Sequence, residues 1–199
     1  MMLVEQTTVP SAALPVAEFK DHLRLGTGFA DDGVQDTVLE SYLRASMAAI
    51  EARTGKVLIE REYGWTLTGW RELGRQALPV APVTAVAEVK IIDRYGAETV
   101  IAPDRYRLEA DAQRPRIVSV GMHLPLIPAH GSAEIRFSAG FGPDWQALPA
   151  DLGQAVFLLA AHYYENRAAV IAGETPMPFG VSLLIDRYRT VRLFGEGAR

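Results

Sequence analysis

Two polar side chains near the C-terminal end have a spacing that could support metal chemistry. His162 and Glu165 stand three residues apart in a helical pattern, which can place two ligands on one helix face. A metal site needs three or four converging ligands, however, and the other histidines have no helical partner at such a spacing. We therefore interpret His162 as a hydrogen-bonded residue at the edge of the core and predict no metal site.

A nucleophilic site is the second chemistry that the residue types could support. Ser132 lies near His130 and Asp144, but no Gly-x-Ser-x-Gly elbow precedes a helix and Ser132 begins a predicted strand. The Gly-Phe-Gly-Pro segment at 140–143 matches neither the dinucleotide fingerprint nor the lysine-containing phosphate loop, so we interpret it as a turn. With no constellation of catalytic roles, we predict that the protein is not an enzyme and uses no cofactor.

Three aromatic residues on one predicted strand region could form a stacking platform for bases or sugars, namely Tyr63, Trp65 and Trp70. The alternative is that they form the core of a sheet or contact a neighbouring subunit. Nucleic acid is the weaker ligand because the chain has only three lysines. A carbohydrate- or ligand-binding module on the sheet, or an uncharacterised enzyme, therefore stays open as an alternative function.

The composition of the 199 residues is typical of a soluble globular protein, with 49% hydrophobic and 22% charged residues. The absence of cysteine excludes disulfides, thiolate metal sites and a cysteine nucleophile. No stretch approaches the roughly 20 apolar residues that cross a bilayer, and residues 1–15 lack the charged and apolar regions of a signal peptide. We expect a soluble protein that is not exported by that route and has no membrane partner.

Charge is unevenly distributed along the chain. The net charge of −4 argues against a protein whose main role is to grip nucleic acid, since that grip comes from cationic side chains. Residues 31–51 contain five acids and one base, whereas residues 187–199 contain four arginines and one glutamate. The sequence thus predicts an acidic helical segment and a basic tail.

Apolar residues at steps of three and four predict amphipathic helices towards both ends of the chain. A short first helix starts at 14–15, and the second runs to about Arg53, where Gly55 can form a left-handed cap. Helical patterns return at 148–151 and from about 181 to 193. The apolar stripe of the second helix consists of Val34, Val38, Leu39, Tyr42, Leu43, Met47 and Ile50.

Between the helices the apolar period changes to two, which predicts strands. We expect six short strands, separated by glycine or proline, in a mainly antiparallel sheet that curls into a small barrel or sandwich. The alternation predicts that one face of the second of these strands carries Val83, Ala85, Ala87, Val89 and Ile91.

These elements predict an α+β fold, in which a four-helix core of two N-terminal and two C-terminal helices carries an inserted, mainly antiparallel β-sheet. The helical core is expected at 14–55 and 148–194, and the β domain at 56–147. Residues 1–13 and 195–199 show no convincing period, and we expect them to be flexible ends.

The order of these parts resembles the head-to-tail connector, or adaptor, family of tailed bacteriophages and of the phage-derived gene transfer agents. Five stretches carry the resemblance over most of the chain, and the end motifs favour a gene transfer agent. They are LPVAEFKDHLR (14–24), YLRA leading to IEARTG (42–55), AGFG with LPADL (139–152), AHYYENR (161–167) and PFGV with YRTVRL (178–193).

The resemblance implies a structural head-completion protein that forms a homo-oligomeric ring of about twelve copies. Such a ring attaches to the portal protein, extends the DNA channel and docks the next head-completion or tail (stopper) protein. DNA would pass through the channel without specific binding, which agrees with the negative net charge. The implied location is a virion or phage-like particle assembled in the bacterial cytoplasm.

The family pattern implies that the C-terminal segment reaches into clefts between portal subunits. It assigns portal contacts to Tyr188, Arg189, Arg192, Leu193 and Phe194. Arginine and aromatic side chains dominate the hot spots of protein interfaces, which agrees with this assignment.

The implied ring also requires that one surface of a subunit meets a different surface of its neighbour. The acidic second helix and the basic final segment are candidates for these unlike surfaces. We therefore assign the ring interface to Asp32, Asp36, Glu40 and Arg187.

Overall fold

The structure is a computed structural model that describes residues 1–25, 34–166 and 177–189. The chain divides into two compact units, each built from separate stretches of sequence. The β unit contains residues 1–13 and 57–148, and the helical unit contains residues 14–56 and 149–199. The α+β prediction is confirmed, with four α-helices among the described residues and antiparallel pairing in both sheets.

The helical unit contains two helices from each end of the chain. They are α1 (Val16–His22), α2 (Val34–Thr54), α3 (Ala150–Glu165) and α4 (Phe179–Ile185), the last followed by a 3-10 turn at Asp186–Tyr188. Helix α3 packs against both α2 and α4 and is buried along Leu152, Ala155, Val156, Leu159 and Ala160. It is the central helix of the unit, as its apolar circumference predicts.

Helix α2 buries most of the described part of the stripe that its sequence period predicts. Leu39, Leu43 and Ile50 are fully buried, whereas Val38 is 45% exposed. The helix ends as expected at Gly55, whose φ of 70° suits a left-handed cap and whose N–H donates to the Glu51 carbonyl at 2.8 Å. The exposed Val38 shows that the described residues of this unit cover a narrower face than the sequence predicts.

Helix α4 is shorter than the predicted helix from 181 to 193. Its regular part ends at Ile185, and after the 3-10 turn Arg189 has an extended backbone with φ of −67° and ψ of 127°. The hydrogen bonds of Arg187 and Tyr188, described below, hold this turn against α3. The predicted continuation from 190 to 193 lies outside the described residues.

The β unit contains eight strands in two antiparallel sheets. A five-stranded sheet has the order β1-β2-β8-β4-β5, and a three-stranded sheet has the order β3-β7-β6. The strands are β1 (Met2–Glu5), β2 (Arg61–Leu67), β3 (Arg75–Ala77), β4 (Val83–Ile92), β5 (Glu98–Val100), β6 (Tyr106–Glu109), β7 (Arg116–Ser119) and β8 (Ser132–Ala139).

Both sheets contribute to one buried cluster within the β unit. Trp65 of β2 and Phe137 of β8 come from the larger sheet, and Ile117 of β7 comes from the smaller one. Tyr63 stacks on Phe137 with ring centroids 5.7 Å apart. The cluster is the core between two sheets that a sandwich requires.

Three features of the β unit differ from the sequence prediction. Strand β1 lies in the segment 1–13 that was expected to be flexible. All four of its side chains are exposed, so it shows no apolar period, but it pairs with β2 from Met2 opposite Thr66 onwards. Strand β3 was missed because Arg75, Gln76 and Ala77 include no large apolar residue and so show no strand period.

Strand β4 does not alternate strictly, which is the third difference. Its pairing with β8 shifts register between Val83 and Ala85 and again between Val86 and Glu88. Each shift moves the following side chains to the other face, so Ala85 and Ala87 are exposed and Val86 packs on the core.

Candidate interaction surfaces

The acids that the sequence assigns to the ring interface have intramolecular partners on the helical unit. Asp36 Oδ1 lies 2.5 Å from Lys20 Nζ, and Glu40 Oε1 lies 2.7 Å from Arg44 Nη2, one helical turn away. Such exposed pairs contribute little to stability and leave their charges near the surface. Asp32 lies outside the described residues.

The arginines at the end of α4 are paired in the same way. Arg187 Nη2 lies 2.7 Å from Asp151 Oδ2, and Arg189 Nη1 lies 3.2 Å from Asp186 Oδ1. The Arg187 side chain is nevertheless 68% exposed. Both arginines of this turn are thus balanced by neighbouring acids, and the predicted basic tail stays a prediction. Arg192, Leu193 and Phe194 lie outside the described residues.

Tyr188 joins the final turn to the first turn of α3. Its hydroxyl donates to Asp151 Oδ1 at 2.7 Å and accepts from Arg187 Nη2 at 2.5 Å. Burial raises the pKa of Tyr188 above its ordinary value; the Arg187 hydrogen bond lowers this pKa and the hydrogen bond to Asp151 raises it. The three side chains hold the final 3-10 turn against the first turn of α3.

Helix α4 presents two large apolar side chains to solvent. Phe179 is 82% exposed and Leu183 is 68% exposed, while Val181 and Ile185 are fully buried. Phe179 and Leu183 are one helical turn apart and share a face. We call this pair the α4 ridge. Sequence reasoning missed it because the helix was predicted to start at about 181, which left Phe179 outside it, whereas the helix starts at Phe179.

A second apolar surface lies on two neighbouring loops of the β unit. Met122 is 85% exposed and Leu126 is 86% exposed, and two further exposed side chains come from the same pair of loops. We call the four residues the β tip, and they are Leu73, Val120, Met122 and Leu126. The sequence signal that could have identified the β tip is the presence of large apolar residues in segments rich in glycine and proline, which are typical of loops.

Hydrogen bonds hold the loops of the β tip together. The Leu124 N–H donates to the Leu73 carbonyl at 2.7 Å, and Trp70 Nε1 donates to the Pro125 carbonyl at 2.6 Å. The Ser119 hydroxyl donates to the His123 carbonyl at 2.8 Å. The exposed apolar side chains therefore project from a braced pair of loops, which lowers the entropy cost of binding a partner.

Arginines lie beside the β tip. Arg75 Nε lies 2.5 Å from Glu72 Oε2, and this hydrogen bond lowers the pKa of Glu72. The charges of Arg116 and Arg114 lower that pKa further, which places both near the same carboxylate. An apolar tip with a basic edge is suited to a partner surface that is apolar and acidic.

The aromatic platform considered from the sequence is not a surface. Trp65 and Tyr63 are buried at 2% and 6% exposure in the β core. Trp70 packs against that core, and its only side-chain hydrogen-bond donor, Nε1, is bonded to the Pro125 carbonyl. Sugar or base stacking on these rings would require the core to open, so the platform alternative is wrong.

The glycines at 140 and 142 serve close backbone packing. A Cβ on Gly140 would lie 2.3 Å from Glu60 Cα, and one on Gly142 would lie 2.3 Å from Ala147 Cβ. The Gly140 N–H donates to the Pro82 carbonyl and the Phe141 N–H to the Leu58 carbonyl. These amides have backbone partners, so the segment is a structural connection and no phosphate cradle.

The residues considered for metal binding do not converge on a site in the described part of the chain. Within residues 1–25, 34–166 and 177–189, no group of three or more histidine or acidic side chains could hold a metal ion. His162 Nδ1 lies 3.2 Å from the side-chain nitrogen of Asn166, one turn along α3. His162 is thus a locally bonded helix residue.

No helix in the described part of the chain is long and apolar enough to span a membrane.

Solved structures identify relatives of the whole chain. A chain in the neck of an empty gene transfer agent (GTA) particle, computed with C6 symmetry, is 57% identical with a TM-score of 0.89, over 98% of this chain and 99% of that chain. A chain in the virion of a native GTA particle is 57% identical with a TM-score of 0.87, over the same shares of each chain. A chain in the neck of a native GTA particle, computed with C12 symmetry, is 52% identical with a TM-score of 0.85, again over 98% and 99%.

Neither a scan against protein-family models nor a search of curated proteins finds a match. The structural relatives settle the family without them, because each is more than half identical to this chain over nearly the full length of both. The resemblance seen in the sequence is confirmed: the chain belongs to the family of head-to-tail connector proteins found in the neck of gene transfer agent particles.

Proposed function

We propose that this protein is the head-to-tail adaptor of a gene transfer agent particle, in which identical copies form a ring between the head and the tail. The observation that carries the proposal is 57% identity, over 98% of this chain, to a component of a GTA neck. Relatives in necks computed with C6 and C12 symmetry support a ring of this chain around the particle axis. The protein is a structural component and not an enzyme.

The C-terminal segment is the part that we assign to the portal. Tyr188 and Arg187 hold the end of α4 on Asp151, so the chain that follows starts from a fixed point. Arg189 and the next residues along the chain, Arg192, Leu193 and Phe194, then supply the cationic and apolar contacts. This division makes Tyr188 an anchor of the segment as well as a neighbour of the portal.

The β tip is the surface that we assign to the next tail component. With the C-terminal segment assigned to the portal, the tip is a separate, braced apolar surface on the β unit. Its arginine edge favours a partner with acidic residues around an apolar patch. The tip would thus dock the stopper protein that the family resemblance implies.

The ring would enclose the path of the DNA. Passage requires that the wall does not hold the phosphates, and a net charge of −4 gives the chain an overall repulsion from them. Location in the particle, after assembly in the bacterial cytoplasm, follows from the same proposal.

The proposal can be tested in a producing strain that lacks its own copy of the gene. The wild-type chain should restore tailed particles and gene transfer, whereas a chain truncated after Arg189 should leave full heads without tails. Charge reversal by Arg189→Glu with Arg192→Glu should also abolish binding to isolated portal protein. Portal binding that survives the truncation and the reversal would overturn the portal assignment.

Thermal unfolding of the truncated chain checks that a loss of tails is not caused by misfolding. The truncation retains the Tyr188 and Asp151 contact, so its helical unit should unfold at the same temperature as that of the intact chain. If the wild-type chain restores tailed particles without itself joining them, the adaptor function itself is wrong.

A further inference from the structure

The α4 ridge is an apolar surface that the described residues leave exposed. Phe179 and Leu183 are both more than two thirds exposed, although α4 has a second face whose Val181 and Ile185 are fully buried. Helix α4 packs on α3, so the ridge points away from the core of the helical unit. Adjacent exposed apolar side chains of this size are candidates for an interaction site.

Helix α2 of the same unit presents a surface that differs in shape from the α4 ridge. Its exposed face carries small, uncharged residues at steps of three and four. These residues, which we call the α2 stripe, are Val38, Ser41, Ala45, Ala48 and Ala52. The one hydroxyl among them is already satisfied, because Ser41 Oγ donates to the Val38 carbonyl at 2.6 Å. The stripe can therefore lose its water without leaving a side-chain donor unpaired.

The two surfaces are complementary in shape. Small side chains along a helix leave a shallow groove, into which large side chains one turn apart on another helix can insert. The ridge supplies two such side chains, and the stripe extends over about two turns on either side of Ala45. Neither surface is covered by the described residues of its own chain.

We infer that the α4 ridge of one copy packs on the α2 stripe of the next copy and that this contact closes the ring. The inference rests on the proposed function, and it adds the surfaces through which the copies meet. Copies arranged around one axis must pair two different surfaces, since a surface that pairs with itself gives a closed dimer. The ridge and the stripe are such a pair of different surfaces.

Charges at the edges of the two surfaces have opposite sign. Arg187 and Arg189 follow α4 directly, and Asp36 lies at the start of α2. Each keeps an intramolecular partner, so the added attraction is modest and mainly sets the orientation in which copies meet. The apolar contact provides the affinity, because large apolar and aromatic side chains in a desolvated centre dominate binding.

The first test removes the ridge. Phe179→Ser with Leu183→Ser should lower the fraction of subunits in rings at least about tenfold in particles from the complemented strain. Tyr95→Ser with Val100→Ser removes similarly exposed side chains from a part of the β unit that is assigned to no interface, and serves as the control that keeps the ring. Thermal unfolding of each purified chain checks that both double variants fold.

The second test identifies the partner surface directly, and it uses the absence of cysteine from the chain. Leu183→Cys combined with Ala45→Cys or Ala48→Cys should give a ladder of disulfide-linked multimers from oxidised particles, since bonded cysteines need Cα atoms about 4.4–6.8 Å apart. Each single cysteine should give monomers. A dimer from Leu183→Cys alone would show that the ridge pairs with itself and would overturn the inference.

A photo-crosslinking phenylalanine analogue at position 179 identifies which molecule contacts the ridge in the particle. A crosslink to α2 of another copy supports the inference, and a crosslink to the portal or to the next tail component overturns it. Failure of the inference is distinguishable from failure of the proposed function. Intact rings in the ridge variant refute only the ridge contact, whereas a wild-type chain that never enters the particle refutes both.

Discussion

The Tyr188 hydroxyl lies 2.7 Å from Asp151 Oδ1 and joins two residues that are 37 positions apart in the sequence. Asp151 is in the first turn of α3, where a carboxylate is also stabilised by the positive end of the helix dipole. The other oxygen of the same carboxylate, Oδ2, forms an ion pair with Arg187 Nη2. The end of α4 is thus tied to the central helix just before the segment that we assign to the portal.

Removing this hydrogen bond should weaken the helical unit. Tyr188→Phe deletes the hydroxyl and leaves Asp151 with Arg187, so we expect the free energy of unfolding to fall by about 1 kcal/mol. Urea denaturation followed by circular dichroism measures the change. Tyr95→Phe, on a side chain 78% exposed in a β-hairpin, is the control and should change little. Equal stability of the two variants would mean that the Tyr188 contact contributes nothing.

Stability should fall in alkali through the tyrosines whose pKa is raised. Burial raises the pKa of Tyr106, Tyr163 and Tyr188 above the ordinary value of 10.0. The native state then keeps protons that the unfolded chain has lost, so the stabilisation is complete below about pH 10 and is lost as the pH rises through the native values. Chemical denaturation between pH 8 and pH 12 measures this slope, which should be shallower in Tyr188→Phe. A stability that rises above pH 10 would contradict the direction of these shifts.

Gly140→Ala should be severely destabilising. Gly140 has φ of 147°, and an added Cβ would lie 2.3 Å from Glu60 Cα, so the backbone on one side must move. We expect a loss of roughly 3 kcal/mol from strain and overpacking. Gly69→Ala is the matched control, because no atom lies within 4 Å of its added Cβ. Thermal unfolding compares the two, and a Gly140→Ala chain as stable as Gly69→Ala would show that the packing adjusts freely.

Polar substitution of the β tip should separate ring assembly from tail attachment. Met122→Ser with Leu126→Ser removes exposed side chains, so stability should change by less than about 0.5 kcal/mol. The particles should still contain the adaptor but lack the next tail component, with a correspondingly low gene-transfer titre. Electron microscopy and the titre measure this outcome. Normal tails on the variant would remove the β tip from the proposed docking surface.

Much of the fold is predictable because it depends on near neighbours in the sequence. The apolar steps of α2 and α3, the glycine cap at Gly55 and the alternation of Tyr63, Trp65 and Leu67 in β2 follow local rules and are found in the structure. The order of helices, strands and helices likewise led to the α+β fold and to the connector family.

Exposure and pairing depended on residues far apart in the chain. Strand β1 is defined by its bonds to β2 and not by any period of its own, and the register shifts of β4 arise from its pairing with β8. The charges assigned to interfaces gained partners such as Lys20 for Asp36 and Asp151 for Arg187. None of these contacts is encoded in the spacing of adjacent residues.

The sequence by itself thus determined which segments are helices and strands, that no catalytic constellation is present along it, and which family the chain resembles. Only the tertiary structure decided which apolar residues remain outside the core, the α4 ridge and the β tip among them. The physical reason is that periodicity identifies an apolar face, whereas burial of that face requires a second element to pack on it. Where the described chain offers no such element, the face is left for another molecule.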